Sequence, residues 1–136
     1  MTTAHLTSVG PPYEQAIKIG KHELIADEGP VLGGQDKGPP PYGYLMAGLA
    51  ACSSITLQMY AARKGWELGT IGVDAKFIKD GDRAEDERVE RVVRVGPNVT
   101  AEQRTRLAEI VEKTPVTKTL RRSVPIVTRF ETLPGK

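Results

Sequence analysis

The hydrophobic positions of the chain change period several times, and each change marks an element. YEQAIKIG and KHELIADE (residues 13–28) carry sparse apolar positions at Ala16, Leu24 and Ala26. They read as two short strands joined at Gly20-Lys21, where glycine supplies the positive φ of a tight hairpin. A Pro/Gly-rich loop, GPVLGGQDKGPPP, covers residues 29–41. Pro39, Pro40 and Pro41 hold the backbone extended and donate no hydrogen bonds, so a helix can begin only just after them, with room to run to about Arg63. Leu45, Leu49, Cys52, Thr56 and Met59 recur at helical spacing on one face, and Met46, Ala50, Ser53, Leu57 and Tyr60 on the next. Arg63 and Lys64 suit the carboxyl end of this helix and Gly65 its left-handed cap.

Past Trp66 the period becomes two. Ile71, Val73, Ala75 and Phe77 lie on one side of a strand, with Asp74 and Lys76 on the other. The polar stretch DGDRAEDE (80–87) leads into ERVERVVRV, a second strand with Val89, Val93 and Val95 on one face, so the pair forms a long hairpin. TAEQRTRLAEIVEK (100–113) is predicted helical: Thr100 and Gln103 have capping-box spacing, and Leu107, Ile110 and Val111 make the apolar stripe. Pro115 ends it, and TPVTKTL (114–120) is expected to add a helical turn with Thr114 as its cap. SVPIVTRF (123–130) alternates Val124, Ile126, Thr128 and Phe130, a terminal strand in which Pro125 argues for a sheet edge or a strand start.

This order of antiparallel hairpins interrupted by helices defines an α+β domain rather than a wound parallel sheet. At 136 residues, 1–136 fits a single domain. Residues 43–62 carry no charge. A helix apolar nearly all round has to be covered on every side, and a domain this small has little material to do so, so a second copy of the chain is expected to help. About eighteen or more apolar residues can also span a bilayer. Ser53, Ser54, Thr56 and Gln58 within the run, and flanks without strong basic asymmetry, favour instead the buried helix of a soluble protein with no membrane partner.

Nineteen basic and seventeen acidic residues are interspersed and leave a formal charge of +2, which disfavours nucleic acid and anionic lipid as partners. The segment MTTAHLTSVGPPYEQ has neither the basic start and apolar core of a signal peptide nor its cleavage site, so a cytoplasmic location is expected. The single cysteine, Cys52, agrees with that: it can make no intrachain disulfide or Cys-rich metal site, and a lone thiol survives best in a reducing compartment.

Cys52 is also the first chemical candidate. Free cysteines often pack as small hydrophobes, whereas a reactive thiol needs a nearby cation, a hydrogen-bond donor or a helix amino terminus, together with solvent access. Cys52 lies roughly two turns inside its helix, beyond the reach of the dipole, so an activator has to come from elsewhere in the fold. His5, in a flexible start, and His22, in the first hairpin, have no carboxylate at motif spacing, and no metal site is expected. The glycines of the 29–41 loop form no G-x-G-x-x-G after a strand and no Walker-type loop; turn-making accounts for them, and no cofactor is expected. Asp80, Asp82, Glu85, Asp86 and Glu87 lack the spacing of a calcium loop and read as a solvated hairpin tip. Ser53 and Ser54 lack the glycine-flanked elbow of hydrolases.

GGQDKGPPPYGYLMAGLAACSSITLQMYAARKGW (33–66), followed by EQRTRLAEIVEKTPVTKTL (102–120) and the closing alternating segment, resembles the OsmC family, which includes the Ohr organic hydroperoxide reductases. The resemblance runs from about Tyr13 to Phe130 and is most specific in the proline run, YLMAGLAAC and LQMYAARKGW. It implies an OsmC-like fold, with antiparallel sheets wrapped around a long central helix in an intertwined homodimer, and a role in oxidative-stress defence. In active members of the family the cysteine matching Cys52 attacks the terminal oxygen of an alkyl hydroperoxide, expels an alcohol and becomes a sulfenic acid; a second cysteine then forms a disulfide, which a dithiol restores. Here Thr114 holds the position of that second cysteine and cannot form a disulfide. The glutamate that follows the prolines in the family is replaced by Tyr42-Gly43, and its arginine partner has no clear counterpart in ADEGPVLGG. The resemblance therefore implies Cys52 as the catalytic residue, Tyr42, Thr114 and Thr117 at the substrate pocket, a small hydrophobic hydroperoxide as substrate and an external thiol as reductant. The alternative is a non-catalytic dimer that binds a lipophilic small molecule.

Overall fold

The computed structural model describes residues 1–10 and 12–135. A three-stranded antiparallel sheet opens the chain, in the order β1 (His5–Gly10), β2 (Glu14–Ile19) and β3 (His22–Ala26). Ile19 faces His22 across the hairpin, and Gly20 at φ 58° makes the turn. The two expected strands are there, but so is β1, where the sequence suggests a flexible start: His5 pairs with Lys18 and Thr7 with Ala16. The reason is burial. All six residues of β1 are exposed, so no apolar alternation marks it.

The helix α1 (Pro41–Lys64) follows a loop containing a short 3-10 turn at Pro30–Leu32. Pro40 is extended at the cap position and Pro41 opens the first turn, where its missing N–H costs nothing. Gly65 at φ 69° ends the helix, its N–H reaching the Ala61 and Ala62 carbonyls beside Arg63 and Lys64. The buried row is Met46, Leu49, Ser53, Leu57 and Ala61. By length and composition α1 could cross a bilayer, yet this row packs inside the chain, under β4 (Gly72–Lys79), α2 (Ala101–Val111) and α3 (Pro115–Arg121).

β4 and β5 (Glu87–Arg94) form the expected hairpin, closed by a 3-10 turn at Ala84–Asp86 and by Arg83–Asp86 and Arg88–Asp80 ion pairs. In α2 the capping box holds, with Thr100 and Gln103 exchanging side-chain to backbone bonds of 3.1 and 3.0 Å. The core joins Leu57 and Ala61 of α1 to Leu68, Val99, Leu107 and Val111, with Tyr60, Trp66, Val93 and Val95 against it.

Two expectations need correction. Thr114 occupies the cap position of α3 but its hydroxyl does not cap; it is drawn back to the Val111 carbonyl and to Thr117. The segment 123–130 forms no strand with any described residue, and Ile126, Val127 and Phe130 are 88–97% exposed. A strand exists only in a pairing, and although both sheets keep open edges, the segment lies along none of them among the described residues. The three-stranded sheet is in a similar position. Among the described residues no extensive packing joins it to a helix, and Leu6 and Ile25 remain exposed. Tyr44 Oη, donating to the Ile25 carbonyl at 2.6 Å, ties it to the start of α1.

Candidate functional site

The register of β4 with β5 sets Val73 opposite Val93, Ala75 opposite Arg91 and Phe77 opposite Val89. Residues two apart share a face of a strand, so Arg91 belongs to the inward row that continues into Val93 and Val95. Its side chain is 11% exposed. A guanidinium so placed requires acceptors, and three helices supply them. Nη1 donates to Ser53 Oγ of α1 at 3.0 Å and to Thr117 Oγ1 of α3 at 2.8 Å. Nη2 donates to the Val111 carbonyl at 3.3 Å, at the end of α2, and to Glu112 Oε2 at 3.4 Å.

The hydroxyls continue this network in one direction. Ser53 accepts from Arg91 and donates to the Leu49 carbonyl at 2.7 Å. Thr114 donates to the Val111 carbonyl at 3.3 Å, so Thr117, 2.6 Å away, donates to Thr114 while accepting from Arg91. No buried side-chain nitrogen or oxygen among the described residues lacks a partner. Sequence reasoning passes over Arg91, although the signal is present: the alternation that puts Val89, Val93 and Val95 on one face puts Arg91 there too.

Cys52 is half-buried, with its Sγ 3.9 Å from Thr56 Oγ1. Seven-residue spacing sets Leu45, Cys52 and Met59 in one stripe of α1; Leu45 is 38% and Met59 58% exposed, while Ser53 is fully buried. The thiol thus sits on the border between the covered and uncovered faces of the helix. Tyr42 stacks on Phe77, ring centroids 4.4 Å apart. It precedes Cys52 by ten residues, about 15 Å along the axis at about 1.5 Å per residue. Of the pocket residues expected from the sequence, then, the structure brings Thr114 and Thr117 together around Arg91 and links them to Ser53, the neighbour of Cys52. Within one chain Tyr42 stands apart from Cys52.

Asp27 is a second residue that the sequence reading misses. It is buried, and its carboxylate accepts from the backbone N–H groups of Glu28 at 2.8 Å, Lys37 at 3.2 Å and Gln35 at 3.3 Å. Its own N–H donates to the Pro39 carbonyl at 3.2 Å. The loop into α1 is therefore wound around one carboxylate. A Cβ at Gly34 would overlap the Glu28 carbonyl and one at Gly38 the Ile25 carbonyl, so these glycines permit close approach as well as turning. Burial alone would raise the Asp27 carboxyl, but the Glu28, Lys37 and Gln35 amides, helped by the Lys37 charge, outweigh it and hold the group below its ordinary value of 3.8. A depressed value means stability that is present above the unfolded value and lost as pH falls through the folded one. Asp27→Asn is expected to be less stable than the parent near neutrality, with the gap closing below the ordinary value of 3.8. Urea midpoints measured across that range check this; a gap independent of pH would contradict it.

Antiparallel sheets and a long central helix are the architecture that this chain shares with solved OsmC-like proteins. The chain belongs to that family: the sequence model for OsmC-like protein matches residues 34–129. No curated protein matches the chain significantly. Solved structures similar to it include a Psychrobacter arcticus 273-4 protein named for osmotic-stress induction and detoxification response, 16% identical over 88% of each chain with a TM-score of 0.74. An organic hydroperoxide resistance protein from Elizabethkingia anophelis is 22% identical, over 89% of this chain and 88% of its own, with a TM-score of 0.68. A third, the organic hydroperoxide resistance protein OsmC of Legionella pneumophila, is 15% identical over 89% of each chain at 0.67. At these identities the likeness establishes the fold.

Proposed function

We propose that the protein reduces organic hydroperoxides through Cys52, as a homodimer that draws on an external thiol. The observation that carries this reading is the place of Cys52 in a chain of this family: half-buried, at the border of an uncovered apolar stripe of α1, where a nucleophile meets solvent and an alkyl group meets Leu45 and Met59. Three uncovered surfaces support the dimer: that stripe, the unbacked three-stranded sheet, and the extended apolar segment around Ile126 and Phe130. A second copy would cover all three.

In the reaction the Cys52 thiolate attacks the terminal oxygen of ROOH. The S–O bond forms, the O–O bond breaks, and the leaving alkoxide takes a proton to become ROH, leaving a sulfenic acid. With threonine at position 114, an external thiol attacks the sulfenic sulfur and releases water; a second thiol then displaces Cys52 from the mixed disulfide and restores it. Thr114 also favours a second reading, a dimer that binds a lipophilic molecule without turnover.

Treating the reduced protein with cumene hydroperoxide in the presence of dimedone decides between them. A single dimedone adduct on Cys52, formed in the native protein, is the expected result. A thiol that is inert until the chain is denatured would leave only the binding reading.

A further inference from the structure

Beside Arg91 a cleft of about 370 Å³ opens between β5, α3 and the end of α2, within the range of about 300–1,000 Å³ usual for small-molecule sites. Its walls are of two kinds. Leu49, Val89 and Leu120 give apolar surface; Leu49 is buried, whereas Val89 and Leu120 remain 39% and 41% exposed. Arg91, Glu112 and Arg121 give the charge. Both guanidinium groups turn to one carboxylate: Glu112 Oε2 lies 3.4 Å from Arg91, and Glu112 Oε1 pairs with Arg121. Two cations thus share one anion.

The members of this trio are held differently. Arg91 is locked by Ser53, Thr117 and the Val111 carbonyl and is 11% exposed, while Glu112 keeps 48% of its side chain in solvent. Its contact of 3.4 Å with Arg91 is loose beside the roughly 2.7–2.9 Å of a good charge-assisted bond. The embedded cation is fixed, and the anion beside it is the replaceable partner.

We propose that this cleft binds amphiphilic carboxylates. The ligand's carboxylate takes the place of Glu112 between Arg91 and Arg121, and its alkyl chain lies along Leu49, Val89 and Leu120. Glu112 is the template for the headgroup, since the planar fork of arginine matches a carboxylate edge to edge. Thr117, which the family resemblance puts at the substrate pocket, also lines the cleft, but Cys52 does not, so binding of a carboxylate here does not require the sulfur.

Sodium octanoate is the probe, titrated into isotopically labelled protein while amide shifts and heat are followed, with 1-octanol and acetate in parallel. Saturable shifts centred on Glu112, Leu120 and Arg121 are expected, with 1-octanol bound at least about tenfold more weakly because it lacks the charge. Arg121→Gln should weaken octanoate about tenfold, and Glu112→Gln should strengthen it about threefold or more by removing the competing carboxylate. Arg121 and Glu112 are 63% and 48% exposed, so neither change disturbs the core. No saturation at millimolar octanoate, equal affinity for octanol, indifference to Arg121→Gln, or weaker binding in Glu112→Gln would each overturn the proposal. Cys52→Ser should bind octanoate like the parent, which separates a failure here from a failure of the peroxidase reading.

Discussion

Cys52→Ser is expected to abolish thiol-driven consumption of cumene hydroperoxide, a loss of about three orders of magnitude or more, down to the uncatalysed rate. The replacement keeps the shape of the side chain and its place one turn before Thr56, so it tests the sulfur rather than the packing. A serine hydroxyl is scarcely ionised near neutrality, and its oxygen is a far poorer nucleophile toward a peroxide than a thiolate. The assay is peroxide loss with dithiothreitol as the external thiol, alongside a urea titration showing that the variant stays folded. Residual turnover at the parental rate in a folded Cys52→Ser protein would remove Cys52 from the chemistry altogether.

The second large effect concerns stability. Arg91→Ala is expected to lower the unfolding free energy by about 2–4 kcal/mol, because it removes a packed side chain and the donors to four acceptors together. Ser53 and Thr117 would still donate, to Leu49 and Thr114, but the Val111 carbonyl at the end of α2 would lose its Arg91 partner. Arg91→Lys should recover only part of the loss, since an ammonium cannot fork between Ser53, Thr117 and Val111 as the guanidinium does. Urea denaturation of the two variants measures this. A cost below about 1 kcal/mol for Arg91→Ala would mean that the network fills space without holding the helices together.

Arg91 also shows how far the sequence could be read. The elements marked by a change of apolar period or by a cap were legible: α1 between Pro41 and Gly65, the β4–β5 hairpin, and α2 with its Thr100–Gln103 box. Where a polar residue sits on the inner face, pattern reasoning skips it. Arg91 breaks an apolar row and Asp27 hides in a loop, although both are among the best-partnered side chains of the chain. β1 is exposed along its whole length and so carries no alternation to find. Val124, Ile126 and Phe130 fail in the opposite sense, having the alternation of a strand without pairing to any described strand. The place of Cys52 within the helix was legible, but its exposure and its neighbours were not, because they depend on how distant segments meet.

The loop held by Asp27 has a consequence for motion. One carboxylate fixes the amides of Glu28, Gln35 and Lys37, while the Asp27 N–H grips the Pro39 carbonyl, so loosening any of these strains the rest. Amide hydrogens along this stretch should therefore exchange with solvent as one cooperative unit. The entry to the long helix would then come undone all at once rather than residue by residue.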